Sequence, residues 1–250
     1  KTETGSTDPS KGLYNVVTMT GDSDGVENND ACVPVTPTPT FAVQKTTTDN
    51  PIILASDATT ASVKYTVKVT NNGPVDGVFA DITDAPTAPT GFTIASVTVN
   101  GVTLTSPYII KGENLTAAAP GNTKSYDVVV NYTVAQASIT PTGWTDLAAC
   151  TSSNGNATSE STKGLYNGAI TTKDGDTDGS SNNVACVPVL KPQMRVEKAT
   201  STGTSVLGPN DTTVTAAYTV TVTNDGTVED TSKAVLDTPA TVAGFTVKTL

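Results

Sequence analysis

The sequence predicts an all-β protein made of tandem β-sandwiches. Three observations carry that prediction. The chain repeats itself at domain length, apolar residues alternate with polar ones, and turn-forming clusters recur at roughly the 8–12-residue spacing of a sandwich. The repetition is plain in four segments. Lys11–Asn15 (KGLYN) returns as Lys163–Asn167, and Ala31–Val35 (ACVPV) as Ala185–Val189. Tyr65–Asn71 (YTVKVTN) returns as Tyr218–Asn224 (YTVTVTN), and Gly91–Ile94 (GFTI) as Gly244–Val247 (GFTV). The offsets fall between 152 and 154 residues, far beyond the roughly 20–50-residue period of a solenoid. The repeating unit is therefore a small domain.

In chain order, residues 1–36 read as closing strands of one copy, residues 38–189 as a complete copy, and residues 190–250 as the opening strands of another. The two partial ends together lack the equivalent of residues 98–150 and are not expected to complete each other, so the chain reads as a window on a longer protein. Val33–Pro39 (VPVTPTP) leads into the complete copy, and its alternating prolines favour a stiff, extended spacer. Val43–Lys45 belongs to the first strand. Val63, Tyr65, Val67 and Val69 alternate with Lys64, Thr66, Lys68 and Thr70, the pattern of a strand with one wet face. Asn71–Pro74 (NNGP) ends it with turn chemistry. Val97–Leu104 reads as a hairpin about Asn100-Gly101, a pair that tolerates positive φ at both turn positions. Tyr126, Val128, Val130, Tyr132 and Val134 mark another alternating strand. Helical periodicity is nearly absent, and the single tryptophan, Trp144, reads as a core or loop anchor.

Composition narrows the function classes. The 250 residues carry a net charge of −10 and no histidine, with 15 prolines and 20 glycines. The acidic balance speaks against nucleic acid, whose phosphates it would repel. Without histidine there is no Ser-His-Asp or Cys-His arrangement and no imidazole metal ligand, and the chain is not expected to be an enzyme. No apolar run approaches membrane-spanning length. Cys32 and Cys186 are equivalent in the repeat, while Cys150 precedes Cys186 in the same copy. That register predicts a Cys150–Cys186 disulfide with Cys32 left over, the alternative being two buried thiols. A disulfide points outside the cytoplasm.

Two constellations could carry chemistry. Asp174, Asp176 and Asp178, followed by Gly179, match the first half of a calcium loop, although Ala185 stands where the closing acid belongs. Asn182 and Asn183 could add carbonyl oxygens, and Asp22, Asp24, Asn28 and Asn29 form the counterpart in the first copy. The alternative is an acidic, glycine-rich surface turn. The second constellation is Lys45, Asp84 and Asn167, each on or beside a predicted strand, with Lys198, Asp237 and Asn15 at equivalent positions. A buried lysine can condense with an asparagine amide beside a carboxyl group, provided the amine is neutral and the acid protonated. The alternative is three polar strand-edge residues.

The order of these pieces resembles a known family. A Lys-bearing first strand (Val43–Lys45) is followed by Tyr-Thr-Val-x-Val-Thr-Asn-x-Gly and Asp84-Ala-Pro86. Then come Ala119-Pro-Gly121 before a valine-rich strand, and an Asn-bearing closing strand. This is similar to the conserved-repeat immunoglobulin-like domain of bacterial and archaeal surface proteins. The resemblance covers residues 38–189 once and 190–250 again. It implies tandem immunoglobulin-like β-sandwiches on a cell surface and names no ligand. The expected role is a structural segment of a long extracellular repeat protein, forming a stalk, fibre or coat, with neighbouring copies as partners and calcium as the one cofactor considered. The alternative role is an adhesin that binds a host molecule, a glycan or a neighbouring cell.

Overall fold

The computed structural model describes residues 12–25, 29–49, 51–150, 162–171, 175–201, 203–229, 231–240 and 242–248. Strands dominate, as alternation predicts. In Thr60–Asn71 the residues Val63, Tyr65, Val67 and Val69 are buried while Lys64 and Lys68 are exposed. In Thr123–Val134 the same parity buries Tyr126, Val128, Val130, Tyr132 and Val134. These two long strands pair antiparallel, Val130 opposite Val63, at the centre of a five-stranded sheet. Phe41–Thr46 flanks them on one side, and Phe92–Val99 followed by Val102–Leu104 on the other. The last two strands form the hairpin expected at Asn100-Gly101, whose φ angles are 49° and 80°.

A second, four-stranded antiparallel sheet runs Tyr108–Ile110, Ile82–Pro86, Leu165–Ile170, Val184–Val187. Its Ile82, Ile110, Leu165, Ala169, Ala185 and Val187 join the buried valines and tyrosines of the first sheet in one continuous core. The Tyr65 hydroxyl links the two sheets by donating to the Leu165 carbonyl at 2.7 Å. Val189–Leu190 pairs in parallel with Ile52–Ile53. Two further antiparallel hairpins flank this unit: Leu13–Val16 with Asp30–Val33, and Met194–Thr200 with Tyr218–Asn224. The proline-rich stretch between the first hairpin and the complete copy, residues 34–40, carries no strand.

The eight-residue helix Pro141–Ala148 is an element that the sequence reading, in which helical periodicity is nearly absent, did not locate. It is too short to show a period. Its signals are local: the Thr140 side chain caps it by accepting from the Gly143 N–H, and Pro141 stands in the first turn, where a missing N–H costs nothing. Leu147 is buried, and Trp144 packs partly buried against the core with the Lys191 ammonium 4.4 Å from its ring centre. Among the described residues no helix is long and apolar enough to cross a membrane.

The helix delivers Cys150 to Cys186, and the two form a disulfide with Cα atoms 6.1 Å apart, inside the reach of such a bond. Gly164 permits this approach. Its φ is +52°, and a Cβ there would stand 2.6 Å from both the Cys150 Cβ and the Val187 carbonyl oxygen. A Cβ on Gly12, its equivalent, would meet the Val33 carbonyl oxygen at 2.5 Å and the Cys32 sulfur at 2.8 Å.

Such correspondences recur throughout. Asn15 pairs with Ala31 as Asn167 pairs with Ala185, and Lys198 with Val220 as Lys45 with Val67. Asn71 accepts from the Gly73 N–H and donates to the Val75 carbonyl; Asn224 does the same with Gly226 and Val228. The repeat in the sequence is thus a repeat in local structure.

Titration of the denatured, unreduced chain is expected to find one free thiol, rising to all three cysteines after reduction. Three free thiols before reduction would contradict the pairing. Replacing both Cys150 and Cys186 by serine is expected to lower unfolding free energy by about 4 kcal/mol, the loop-closure value for a bridge of this span, read by urea denaturation.

Candidate functional site

Strand parity places three polar side chains in the core. Phe41, Val43 and Lys45 occupy alternate positions of one strand and all point inward, leaving Lys45 with no exposed surface. Asp84 stands two residues after buried Ile82, and Asn167 two residues after buried Leu165. Lys45 comes from the five-stranded sheet. Asp84 and Asn167 come from neighbouring strands of the four-stranded sheet, in which Asn167 pairs with Pro86 and Asp84 with Ala169. The structure therefore brings together all three residues singled out from the sequence.

One carboxylate joins them. The Lys45 ammonium donates to Asp84 Oδ1 in a short, fully buried ion pair. The Asn167 amide donates from Nδ2 to Asp84 Oδ2 at 3.1 Å. Asn167 Oδ1 is buried without a hydrogen-bond partner, an unusual state for an acceptor in a core. The Lys45 nitrogen also lies 5.3 Å from the centre of the Tyr65 ring. Burial pushes the Lys45 pKa down, and the Asp84 carboxylate opposes that shift. Burial likewise raises the Tyr65 hydroxyl well above its ordinary value, so Tyr65 remains a hydrogen-bond donor. The strand of Tyr65 is evident from sequence, but its hydroxyl contact with the opposite sheet is not, because nothing local specifies that partner.

The equivalent residues elsewhere are not enclosed. Lys198 donates to Asp237 at 2.6 Å, with the same separation along the chain as Lys45 and Asp84, but both side chains are open to solvent at 40% and 32% exposure. Asn15 lies in the exposed Leu13–Val16 strand.

The acidic loop has a role that sequence reasoning did not foresee. Asp176 Oδ1 accepts from the Val43 backbone N–H at 3.2 Å, and the Thr177 N–H donates to the Phe41 carbonyl at 2.7 Å. Together they cover the outer edge of the strand that carries Lys45, an edge otherwise open to pairing. Asp176 Oδ2 also accepts from Asn183 Nδ2, and Asp178 from Asn182 Nδ2. Asp22 takes the Asn29 amide in the same way as Asp176 takes Asn183. Burial and the neighbouring Asp178 carboxyl raise the Asp176 pKa. Asp174 lies outside the described residues, and among those described no three acids or cysteines gather as a metal group. Asp24, in the first-copy counterpart, makes its own polar contact.

Comparison with known proteins identifies no relative: no family model matches the chain, and no curated protein matches it at a significant level.

Removing one member of a fully buried ion pair strands the other charge, typically at a cost of about 3–5 kcal/mol, whereas replacing both by apolar groups is far milder. Lys45→Met alone is expected to destabilise by at least that amount. Adding Asp84→Leu to it should recover most of the ion-pair loss, an interaction energy readable from a double-mutant cycle by denaturant unfolding. Additive losses would show that the two side chains do not depend on each other.

Proposed function

We propose that this chain is a structural segment of a long extracellular repeat protein. Its copies are immunoglobulin-like β-sandwiches strung in tandem to form a stalk, fibre or surface coat, with neighbouring copies as their main partners. The observation that carries this reading is the recurrence of the same local geometry at domain-length offset: the Lys–Asp pair, the Asn–Gly turn and the Gly–Cys contact each occur twice. Repetition of one domain multiplies length and attachment points, which suits mechanical reach.

Further features support it. The two sheets of the complete copy share one core, as two-layer β architectures require. The disulfide suits an oxidising compartment. The flanking hairpins expose apolar residues whose equivalents are buried in the complete copy: Leu13 is 67% exposed against 0% for Leu165, and Val196 53% against 1% for Val43. Those faces have the composition of a sandwich interior. Open grooves on the complete copy offer little for catalysis. One, between Thr87–Thr90 and the helix, contains a single ionisable group, Asp146, which is held by Lys163. The resemblance to conserved-repeat surface domains belongs to the same reading.

Calcium enters as an ion held by residues 175–183, where Asn182 Oδ1 and Asn183 Oδ1 lack a protein partner beside Asp176 and Asp178; oxygen is the donor that calcium takes. Millimolar calcium is expected to raise the melting temperature by a few degrees through mass action, and a chelator to reverse it. Identical melting curves would remove the ion from the reading.

Antibodies raised against this chain are expected to label intact, unpermeabilised cells of the source organism, with gold particles following continuous fibres or a coat under the electron microscope. Labelling only after lysis would overturn the extracellular assignment. Isolated distal puncta would favour an adhesin over a structural array.

A further inference from the structure

We propose that the complete copy modifies itself by joining Lys45 Nζ to Asn167 Cγ in an amide bond, with Asp84 carrying the protons. The geometry is that of a reaction centre. A carboxylate bridges the amine and the amide, one oxygen on each. All three side chains are sealed from solvent, Lys45 at 0%, Asp84 at 1% and Asn167 at 0% exposure. Asn167 Oδ1 has no partner, which leaves that oxygen open to a polarising donor. Water, the competing nucleophile and the solvent that would hold the amine charged, is excluded.

The step balances without any outside reagent. In the buried pair the Lys45 proton passes along its hydrogen bond to Asp84, giving a neutral amine and a neutral carboxyl group. Desolvation favours this uncharged pair, consistent with the lowered Lys45 pKa. The Nζ lone pair attacks Asn167 Cγ, forming a C–N bond, and electron density moves to Oδ1. Asp84 gives its proton to Nδ2 and takes one from Nζ. The Cγ–Nδ2 bond breaks, the carbonyl reforms and ammonia leaves. Amine plus primary amide yields secondary amide plus ammonia, with no oxidation or reduction. The three groups are held by separate strands of two sheets, so proximity and orientation are set by folding.

The chain contains its own control. Lys198 and Asp237 repeat the pair, but with both side chains open to solvent instead of enclosed. A nucleophile is therefore expected at Lys45 and not at Lys198. The inference does not depend on where the chain works, so its failure would leave the structural reading standing, and failure of surface labelling would leave this one intact.

The test is mass spectrometry of the reduced, denatured chain, intact and after proteolysis. The intact mass is expected to be lower than the sequence mass by one ammonia. Mass alone does not decide, because Asn167 precedes Gly168 and an Asn-Gly pair can lose ammonia by closing a succinimide on its own backbone. Digestion separates the two. The proposal expects one branched peptide containing both the Lys45 and the Asn167 segments, with the Lys198 peptide unmodified. Asp84→Asn, which keeps the shape and removes the proton carrier, should yield the two segments separately at full mass, as should Lys45→Met. Unlinked Lys45 and Asn167 peptides from the unaltered chain would overturn the proposal whether or not the variants fold. So would a branched peptide that survives Asp84→Asn undiminished, as far as the role of Asp84 is concerned.

Discussion

A buried lysine nitrogen that joins the five-stranded sheet to the four-stranded one is the constraint to which the rest of residues 38–190 is fitted. Leaving that charge unpaired would cost several kcal/mol, more than the roughly 1.5–3 kcal/mol contributed by burying a single valine or leucine. Asp84 must therefore sit on the facing sheet, at the inward parity of its strand, and the two sheets must meet in one register. Tyr65 packs its ring near the ammonium and sends its hydroxyl across to Leu165, while Asn167 meets the second carboxylate oxygen. Even the acidic loop serves this arrangement, because Asp176 and Thr177 cap the strand that carries Lys45. A register slip of one residue would turn Lys45 outward and expose the face of Phe41 and Val43.

Much of this was legible in the sequence, for physical reasons. Period-two alternation gave the long central strands, since a half-buried strand has few other ways to hide its valines. The Asn100-Gly101 pair located a tight turn, because few residue pairs accept its backbone angles. Lys45, Asp84 and Asn167 could be gathered because each lies on or beside a predicted strand and has an equivalent at the repeat offset. The cysteine pairing followed from the same register. What was not legible was decided by contacts between distant segments. The Thr140–Pro141 cap that starts the one α-helix among the described residues is a weak signal in a chain full of threonine and proline. The use of Asp176 as an edge cap depends on a strand more than a hundred residues away, so local sequence showed only an acidic, glycine-rich loop suited to calcium.

The repeat links this site to the proposed mechanical role. Lys45 lies in the opening strand of the complete copy and Asn167 in one of its closing strands, and the Cys150–Cys186 bridge lies near the same end of the chain path. Tension applied along the chain would enter the paired strands by Phe41–Thr46 and leave by Val189–Leu190, which pairs in parallel with Ile52–Ile53 over two residues. A covalent tie from the first strand to the closing strands would carry that load past the intervening hydrogen bonds. Its closure would also stabilise the fold by on the order of 4–5 kcal/mol in the chain-entropy model for so long a loop. The Lys198–Asp237 pair and the hairpin of Asn15 repeat the same parts with their side chains open to solvent.

Single-molecule stretching of the chain from its two ends, with the Cys150–Cys186 disulfide reduced, tests this most directly. With Lys45 and Asn167 joined, the residues between them stay out of the force path at any load that leaves covalent bonds intact. The contour length released should then correspond only to the segments before Lys45 and after Asn167, and Lys45→Met should release the missing length. Full extension of the unaltered chain between those two residues would contradict a covalent link across the sheets.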